Sequence, residues 1–393
     1  MHGKILNMYY HRMLESAVRK GLENNPVVAI LGPRQCGKST LAKHIAAQTN
    51  KEVTYLDLER PMDLQKLENA EWFLKKQKNK LICLDEIQRK PDLFPLLRSL
   101  VDEWGGNYHF LILGSASRNL IKQSSESLAG RISFKQLTPF VMQELPEGLT
   151  QEDYLVRGGF PRSLLAPDDD VSFEWREDFI TTFLERDLLL WSGFSTTTMR
   201  KLWQMLAHLN GQIINYANLG NALGVSQTTT RNYVELLAST FMLKLLPPFL
   251  ANTGKRLVKT PKVYLTDTGI ANALLGVADF NQLTGHPTIG ANWKTLVLAN
   301  LTATFPGYNF YFYRTGHGAE IDFILEKHGR IVCVECKSSL TPKLVKGTFT
   351  AIDDIHPEFT LVISPVDEGW QAKPGIEVVN LREAIQKIKE ILD

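Results

Sequence analysis

Eight residues impose the strongest constraint on what this chain can become: Gly32 to Ser39 read GPRQCGKS and follow directly on the apolar run VVAIL. The two glycines let backbone N–H groups curl around an anion with no Cβ in the way, and a helix opening at Lys38 adds its positive end. The spacing G-x-x-x-x-G-K-S therefore demands a strand, a phosphate-cradling loop and a helix in that order. Lys38 is the residue to neutralise the β and γ phosphates of a nucleoside triphosphate, and Ser39 the one to set its hydroxyl on magnesium. Gly32, Pro33, Arg34, Gln35, Cys36, Gly37 and Thr40 complete the nucleotide-binding stretch, with no separate role for Cys36. A chance match in a glycine-containing loop is disfavoured because the spacing is complete and an apolar strand precedes it.

A loop of this kind needs an acidic strand end beside it. Between Pro26 and Leu145 the runs VTYLDLE, LICLDEI and YHFLILG alternate with helical stretches, the pattern of a parallel sheet covered on both faces. Asp85 emerges at the carboxyl end of LICLD, where open α/β sheets bind ligands, and is expected to hold magnesium through water. Glu86 is the candidate to orient and deprotonate the attacking water. Ser115, after FLILG, is placed to sense the γ-phosphate. Arg131, in LAGR, is a candidate for stabilising transition-state charge, a role worth about a thousandfold or more, with a structural salt bridge as an equal alternative. These residues together predict an ATPase using ATP and Mg2+, with Glu86, Lys38 and Arg131 as its catalytic set.

At 393 residues the chain is long enough for about two or three domains. Hydrophobic residues at 44% and charged residues at 22% describe folded rather than disordered chain. Lys plus Arg number 44 against 42 Asp plus Glu, so a basic surface for nucleic acid has to be local. The four cysteines, Cys36, Cys83, Cys333 and Cys336, fall in apparent strands or the loop and suit a reducing compartment. Cys333 and Cys336 project to opposite faces of one strand, which argues against a zinc site. No stretch reads as a membrane span or a cleaved leader, so the expected location is the cytoplasm.

Past Gln151 the text turns helical. Leu202, Met205, Leu206 and Leu209 mark one helix face; a second helix fits Tyr216–Leu223, Gly224 breaks it, and Ser226 caps a third. This is a helix-turn-helix outline. Tyr233, Leu236 and Leu237 face inward, leaving Gln227, Thr228, Arg231 and Asn232 for a groove or for solvent. The basic stretch with Lys255, Arg256, Lys259 and Lys262 reads as the hairpin of a winged helix and tilts the segment toward DNA or RNA, although a lid or subunit contact has equal weight.

In the last block, strand alternation puts Glu320 and Asp322 on one face and Glu335 and Lys337 on one face of the next strand. A two-residue turn at His328 and Gly329 pairs Lys327 with Arg330 and sets Asp322 opposite Glu335. Facing carboxylates destabilise a sheet unless a cation lies between them. An exposed face with ordinary charge alternation is the competing reading.

The ordered set GPRQCGKST, LICLDEIQRKPDLF, LILGSAS, LAGR, GGFPR, the helix-turn-helix block, KVYLTDTGIANALLG and GAEIDFILEKHGRIVCVECKSS resembles prokaryotic AAA-type ATPases with a winged-helix segment and a C-terminal PD-(D/E)XK nuclease-like domain. The resemblance implies an α/β P-loop NTPase sandwich over residues 1–150, a helical linker and winged helix over 151–260, and an α/β restriction-endonuclease-like domain over 261–393. It also implies that Asp322, Glu335 and Lys337 match a D, E-x-K pattern in which a metal activates water against a phosphodiester. Relatives commonly carry a glutamate on the preceding helix, where this chain has Lys294. Losing a ligand and gaining an ammonium both weaken cation binding, so the nuclease-like domain is expected to be inactive or impaired. The expected protein is an ATPase whose nucleotide cycle moves this arm against nucleic acid, in a possible homo-oligomer. The alternatives are a nucleotide-gated switch for protein partners and an active ATP-dependent nuclease.

Overall fold

A computed structural model of the chain describes residues 9–115, 126–187, 195–250 and 257–392. It divides into two compact units, residues 1–140 with 239–241, and residues 141–238 with 242–393.

The first unit is built on five strands: β1 (Val27–Leu31), β2 (Val53–Asp57), β3 (Leu81–Asp85), β4 (Phe110–Gly114) and β5 (Ile132–Gln136), in the order β2-β3-β4-β1-β5. Every pairing is parallel. β1, β3 and β4 are buried at every position, because alternate residues feed two separate cores. Val27, Ala29, Ile82, Leu84 and Phe110 pack with the helix Leu93–Trp104 on one face. Val28, Ile30, Cys83, Leu111 and Leu113 pack with the helices Leu14–Asn24 and Lys38–Ala47 on the other. This is the parallel-sheet P-loop NTPase fold. The registers Leu31↔Gly114 and Asp57↔Asp85 bring the carboxyl ends of four strands to one edge.

The second unit opens with the helices Gln151–Arg157 and Asp169–Thr182. The helix Thr196–His208 follows, then β6 (Gln212–Ile213), the helices Tyr216–Leu223 and Gln227–Ser239, β7 (Leu243–Leu246) and β8 (Lys262–Leu265). Gly224 takes the left-handed conformation at φ 68° and the Ser226 hydroxyl accepts the Thr229 N–H at 3.0 Å, so the turn between the two helices forms where its residues require it. Trp203, Leu206, Val234 and Leu237 are fully buried between these helices. β6, β8 and β7 make a three-stranded antiparallel sheet. The border expected at residue 260 falls between β7 and β8, which pair from Leu243↔Leu265 to Leu246↔Lys262.

The remaining sheet has six strands, β9 (Asn309–Arg314), β10 (Glu320–Lys327), β11 (Arg330–Cys336), β12 (Phe359–Ile363), β13 (Trp370–Lys373) and β14 (Ile376–Val379), ordered β13-β14-β12-β11-β10-β9. It mixes antiparallel β9–β10–β11 with parallel β11–β12–β14. His328 at φ 53° and Gly329 at φ 81° form the turn that pairs Lys327 with Arg330. Of these six, the residues read from the sequence mark out only β10 and β11. β13 is exposed at all four residues, so it carries no apolar alternation to read. No helix among the described residues is long and apolar enough to cross a membrane.

Candidate functional site

The loop from Gly32 to Gly37 closes tightly against the sheet. A Cβ on Gly32 would lie 2.1 Å from the Leu137 carbonyl oxygen, and Gly37 sits at φ 102°, so both positions require glycine. Lys38, the first residue of its helix, is buried and donates from Nζ to the carbonyls of Gly32 at 3.0 Å and Pro33 at 2.7 Å. Gln35 and Thr40 are exposed. Arg34 reaches Glu59 at 3.2 Å, and Arg89 reaches the same Glu59 oxygen at 3.3 Å. Cys36 points the other way: its thiol lies in the core, 3.6 Å from the Leu137 carbonyl, and burial raises its pKa. Only its backbone belongs to the loop.

Asp85 ends β3 in a buried position. Its Oδ2 accepts the Tyr55 phenol at 2.5 Å and its Oδ1 the Glu86 N–H at 3.0 Å. Burial and the charge of Asp85 raise the Tyr55 phenol well above its ordinary range, with the neighbouring Ser39 side chain pulling the other way. Ser39 and Asp85 thus both neighbour the Tyr55 phenol, and the two groups fit a magnesium site that keeps most of its ligands as water and phosphate. Glu86 adopts a left-handed backbone conformation at φ 58°. Burial raises its carboxyl above the usual range, with Lys38 and Arg34 pulling the other way. Gln88 donates from Nε2 to the Glu86 carboxylate and stands 3.0 Å from the Ser115 hydroxyl. One edge of the sheet therefore gathers Lys38, Ser39, Asp85, Glu86 and Ser115.

Arg131 is not at that edge. Its carbonyl accepts the Val27 N–H at the start of β1, so the length of a five-residue strand, roughly 16 Å, separates it from the loop. Its guanidinium pairs with Asp102, Nε to Oδ1 at 2.5 Å and Nη2 to Oδ2 at 3.1 Å. Within its own site it is a structural ion pair.

Three residues of this site escape sequence reasoning. Arg12 is buried, donates to the carbonyls of Cys36 at 2.9 Å and Thr138 at 2.6 Å, and lies over the Phe140 ring at 4.6 Å. Tyr55 and Gln88 are the others. Each acts across a distance in sequence or through a common residue type, so no spacing announces it.

In the second unit, Asp322 and Glu335 are both buried. Lys294 Nζ lies 2.5 Å from Asp322 Oδ1, and the Cys336 N–H donates to Oδ2 at 3.0 Å. Burial opposes the charge on Asp322, but Lys294 and Lys262 outweigh it and hold the carboxyl below its ordinary range. Burial, and then the charge of Asp322, push Glu335 up to about 7. Lys337 donates to Glu335 Oε1 at 2.8 Å. Among the described residues no group of three His, Cys, Asp or Glu side chains is placed to hold a metal ion. The donor set here does not fit a divalent cation, since the Lys294 ammonium already sits on Asp322 Oδ1 with Lys262 3.9 Å from the same oxygen.

On the helix Gln227–Ser239, Gln227, Thr228, Arg231 and Asn232 are exposed while Tyr233, Leu236 and Leu237 are buried. The Arg231 guanidinium lies over the Tyr216 ring at 4.5 Å. Lys259 is exposed; Lys255 and Arg256 lie outside the described residues. Lys262, the fourth cation of that stretch, is fully buried and bonds Glu320 at 2.6 Å, because it opens β8 on the covered face.

Residues 24–146 match the family described as AAA domain. Residues 149–281 and 289–384 match two families described as domains of unknown function, DUF8612 and DUF4143. Two curated relatives, the uncharacterized proteins Mb2031c of Mycobacterium bovis and Rv2008c of Mycobacterium tuberculosis, are each 39% identical over 349 residues, which cover 88% of this chain and 78% of theirs. Among solved structures, the Walker-type ATPase PABY2304 of Pyrococcus abyssi is similar at a TM-score of 0.50 and 15% identity, over 68% of this chain and 96% of that one.

Proposed function

Because the chain belongs to one family with the two mycobacterial proteins and carries its AAA-type P-loop ATPase domain at the N-terminal end, we propose that it binds and hydrolyses ATP at the edge where β1 and β3 end. The observation that supports this most directly is the Tyr55 phenol, which donates to Asp85 Oδ2 at 2.5 Å and has the Ser39 side chain beside it. It brings the hydroxyl of the phosphate loop and the carboxylate of the acidic strand to one point.

In this reading the backbone from Gly32 to Gly37 wraps the β-phosphate. Lys38 leaves its carbonyl partners for the phosphates and exchanges neutral acceptors for charged ones, a stronger kind of hydrogen bond. Ser39 and Asp85 would hold magnesium, which when bound neutralises charge shared between the phosphates. Glu86 orients the attacking water and takes its proton, with Gln88 holding the carboxylate and Ser115 at the end of the same chain of contacts. Calorimetry with Mg-ATP on the folded chain tests this: a saturable exothermic association is expected, and its absence removes the proposal.

The finer part concerns the second unit. We read residues 196–265 as a winged helix and the six-stranded sheet as a nuclease-like arm that engages nucleic acid without cutting it. Exposed Gln227, Thr228 and Lys259 support contact with a strand. A second reading, a nucleotide-gated switch for protein partners, is favoured by the burial of Lys262 and the stacking of Arg231 on Tyr216, which draw two cations away from a nucleic-acid surface. ATP turnover stimulated by DNA supports the first reading, and indifference to DNA or RNA supports the second.

A further inference from the structure

Around Asp322 the protein has assembled its own counter-charges. Lys294 touches Asp322 Oδ1 at 2.5 Å, and Lys262 stands 3.9 Å from the same oxygen and 2.6 Å from Glu320. Arg314 lies 3.5 Å from the other Glu320 oxygen, and Lys337 holds Glu335 at 2.8 Å. Four cations (Lys262, Lys294, Arg314, Lys337) face three carboxylates (Glu320, Asp322, Glu335), a surplus of one positive charge when all are ionised. A divalent cation would raise that surplus to three in a buried cluster, so Coulomb repulsion opposes its entry.

The layering of these charges matters as much as their sum. Asp322 and Glu335 side chains are 3% and 8% exposed, whereas Lys294 and Lys337 are 29% and 27% exposed. Acids form the floor and ammonium groups the mouth. Tyr264, two residues after Lys262 on β8 and so on the same face, is wholly buried with its ring against Phe323, and its hydroxyl finds no hydrogen-bond partner among the described residues. A buried donor left open beside such a cluster calls for a polar partner, a water or a ligand group.

We propose that this site works without a metal ion: Lys294 is its resident cation, and Lys294 with Lys337 receives a phosphate group of a nucleic-acid strand. The ligand rests on the nucleic-acid reading given above; the metal independence does not. The lysine in place of a cation explains why two buried carboxylates can share one sheet face.

The test uses the full chain, without nucleotide, and a 5′-fluorescein-labelled single-stranded DNA oligonucleotide in anisotropy titrations. Equal affinity is expected in EDTA and in Mn2+. Lys294→Met and Lys337→Met should each weaken binding and lower the slope of log affinity against log salt by about 0.7, the value for one phosphate contact on a single strand. Lys294→Arg should restore both. Because Lys294→Met leaves Asp322 facing an uncharged side chain, the melting temperature of each variant is measured alongside. In the same assay Lys294→Glu should melt low in EDTA and recover in Mn2+, while wild type is indifferent to Mn2+. A Mn2+-dependent rise in the wild type that Asp322→Asn removes would overturn the metal-free site. Binding that ignores both lysines overturns the site but keeps the nucleic-acid reading; no binding by wild type overturns both. Inorganic phosphate that displaces the strand at equal concentration of phosphate groups would assign the site to free phosphate instead.

Discussion

Tyr55 donates its phenolic hydrogen to Asp85 Oδ2 across 2.5 Å with the Ser39 side chain beside it, so a single side chain on β2 stands between the phosphate loop and the acidic end of β3. Partners that orient a metal-binding carboxylate typically account for about ten- to a hundredfold in affinity. Tyr55→Phe should therefore raise the magnesium concentration needed for half-maximal ATP binding by about tenfold, with nucleotide affinity in saturating magnesium little changed. A magnesium titration of ATP binding reads this, and an unshifted midpoint would show that Tyr55 does not orient Asp85.

Lys38 and Glu86 should separate binding from chemistry. Lys38→Ala removes the ammonium held against the loop's own carbonyls and is expected to abolish measurable ATP binding. Glu86→Gln keeps the shape of the site and its contact with Gln88, so ATP should still bind, but hydrolysis should fall by about two to four orders of magnitude. Phosphate release under single-turnover conditions distinguishes the two, and wild-type turnover in Glu86→Gln would take Glu86 out of the reaction.

Arg131 lies at the far end of the sheet from its own loop and in a part-exposed pair with Asp102. Arg131→Ala is expected to leave ATP affinity unchanged and to cost about 1 kcal/mol of stability or less, the usual worth of such a pair. Dilution separates the remaining possibility. If the arginine serves a neighbouring copy's nucleotide, wild-type specific activity rises with protein concentration and that of Arg131→Ala does not.

His109 predicts a pH dependence of stability. Burial lowers its pKa, its Nε2 lies 2.7 Å from the Gly105 carbonyl, and its Nδ1 is buried without a partner among the described residues. The folded chain thus binds a proton less readily than the unfolded one, whose histidines titrate near about 6.5. Stability from this group is present above that pH and is lost as pH falls through it. Denaturant midpoints of wild type should decline below about pH 6.5, and His109→Asn should flatten that part of the curve.

The register of the last hairpin was legible because His328 and Gly329 are suited to a two-residue turn, and a turn fixes which residues face each other. The helix pair around Gly224 was legible for a similar reason, since its cap and its left-handed residue act within four positions. The basic stretch misled at Lys262, where a lysine at the start of a strand reads as surface until the strand is seen to be covered.

By itself the sequence determined the phosphate loop, the acidic strand end and the class of the sheet that joins them, because each depends on residues a few positions apart and on periods of two and 3.6. Only the tertiary structure decided that Arg12 and Tyr55 hold the loop and the acid, that Arg131 faces away, and that Lys294 sits on Asp322. Those relations join residues 24 to 30 positions apart, and which side chains meet across such a gap is fixed by strand order and helix packing rather than by anything local.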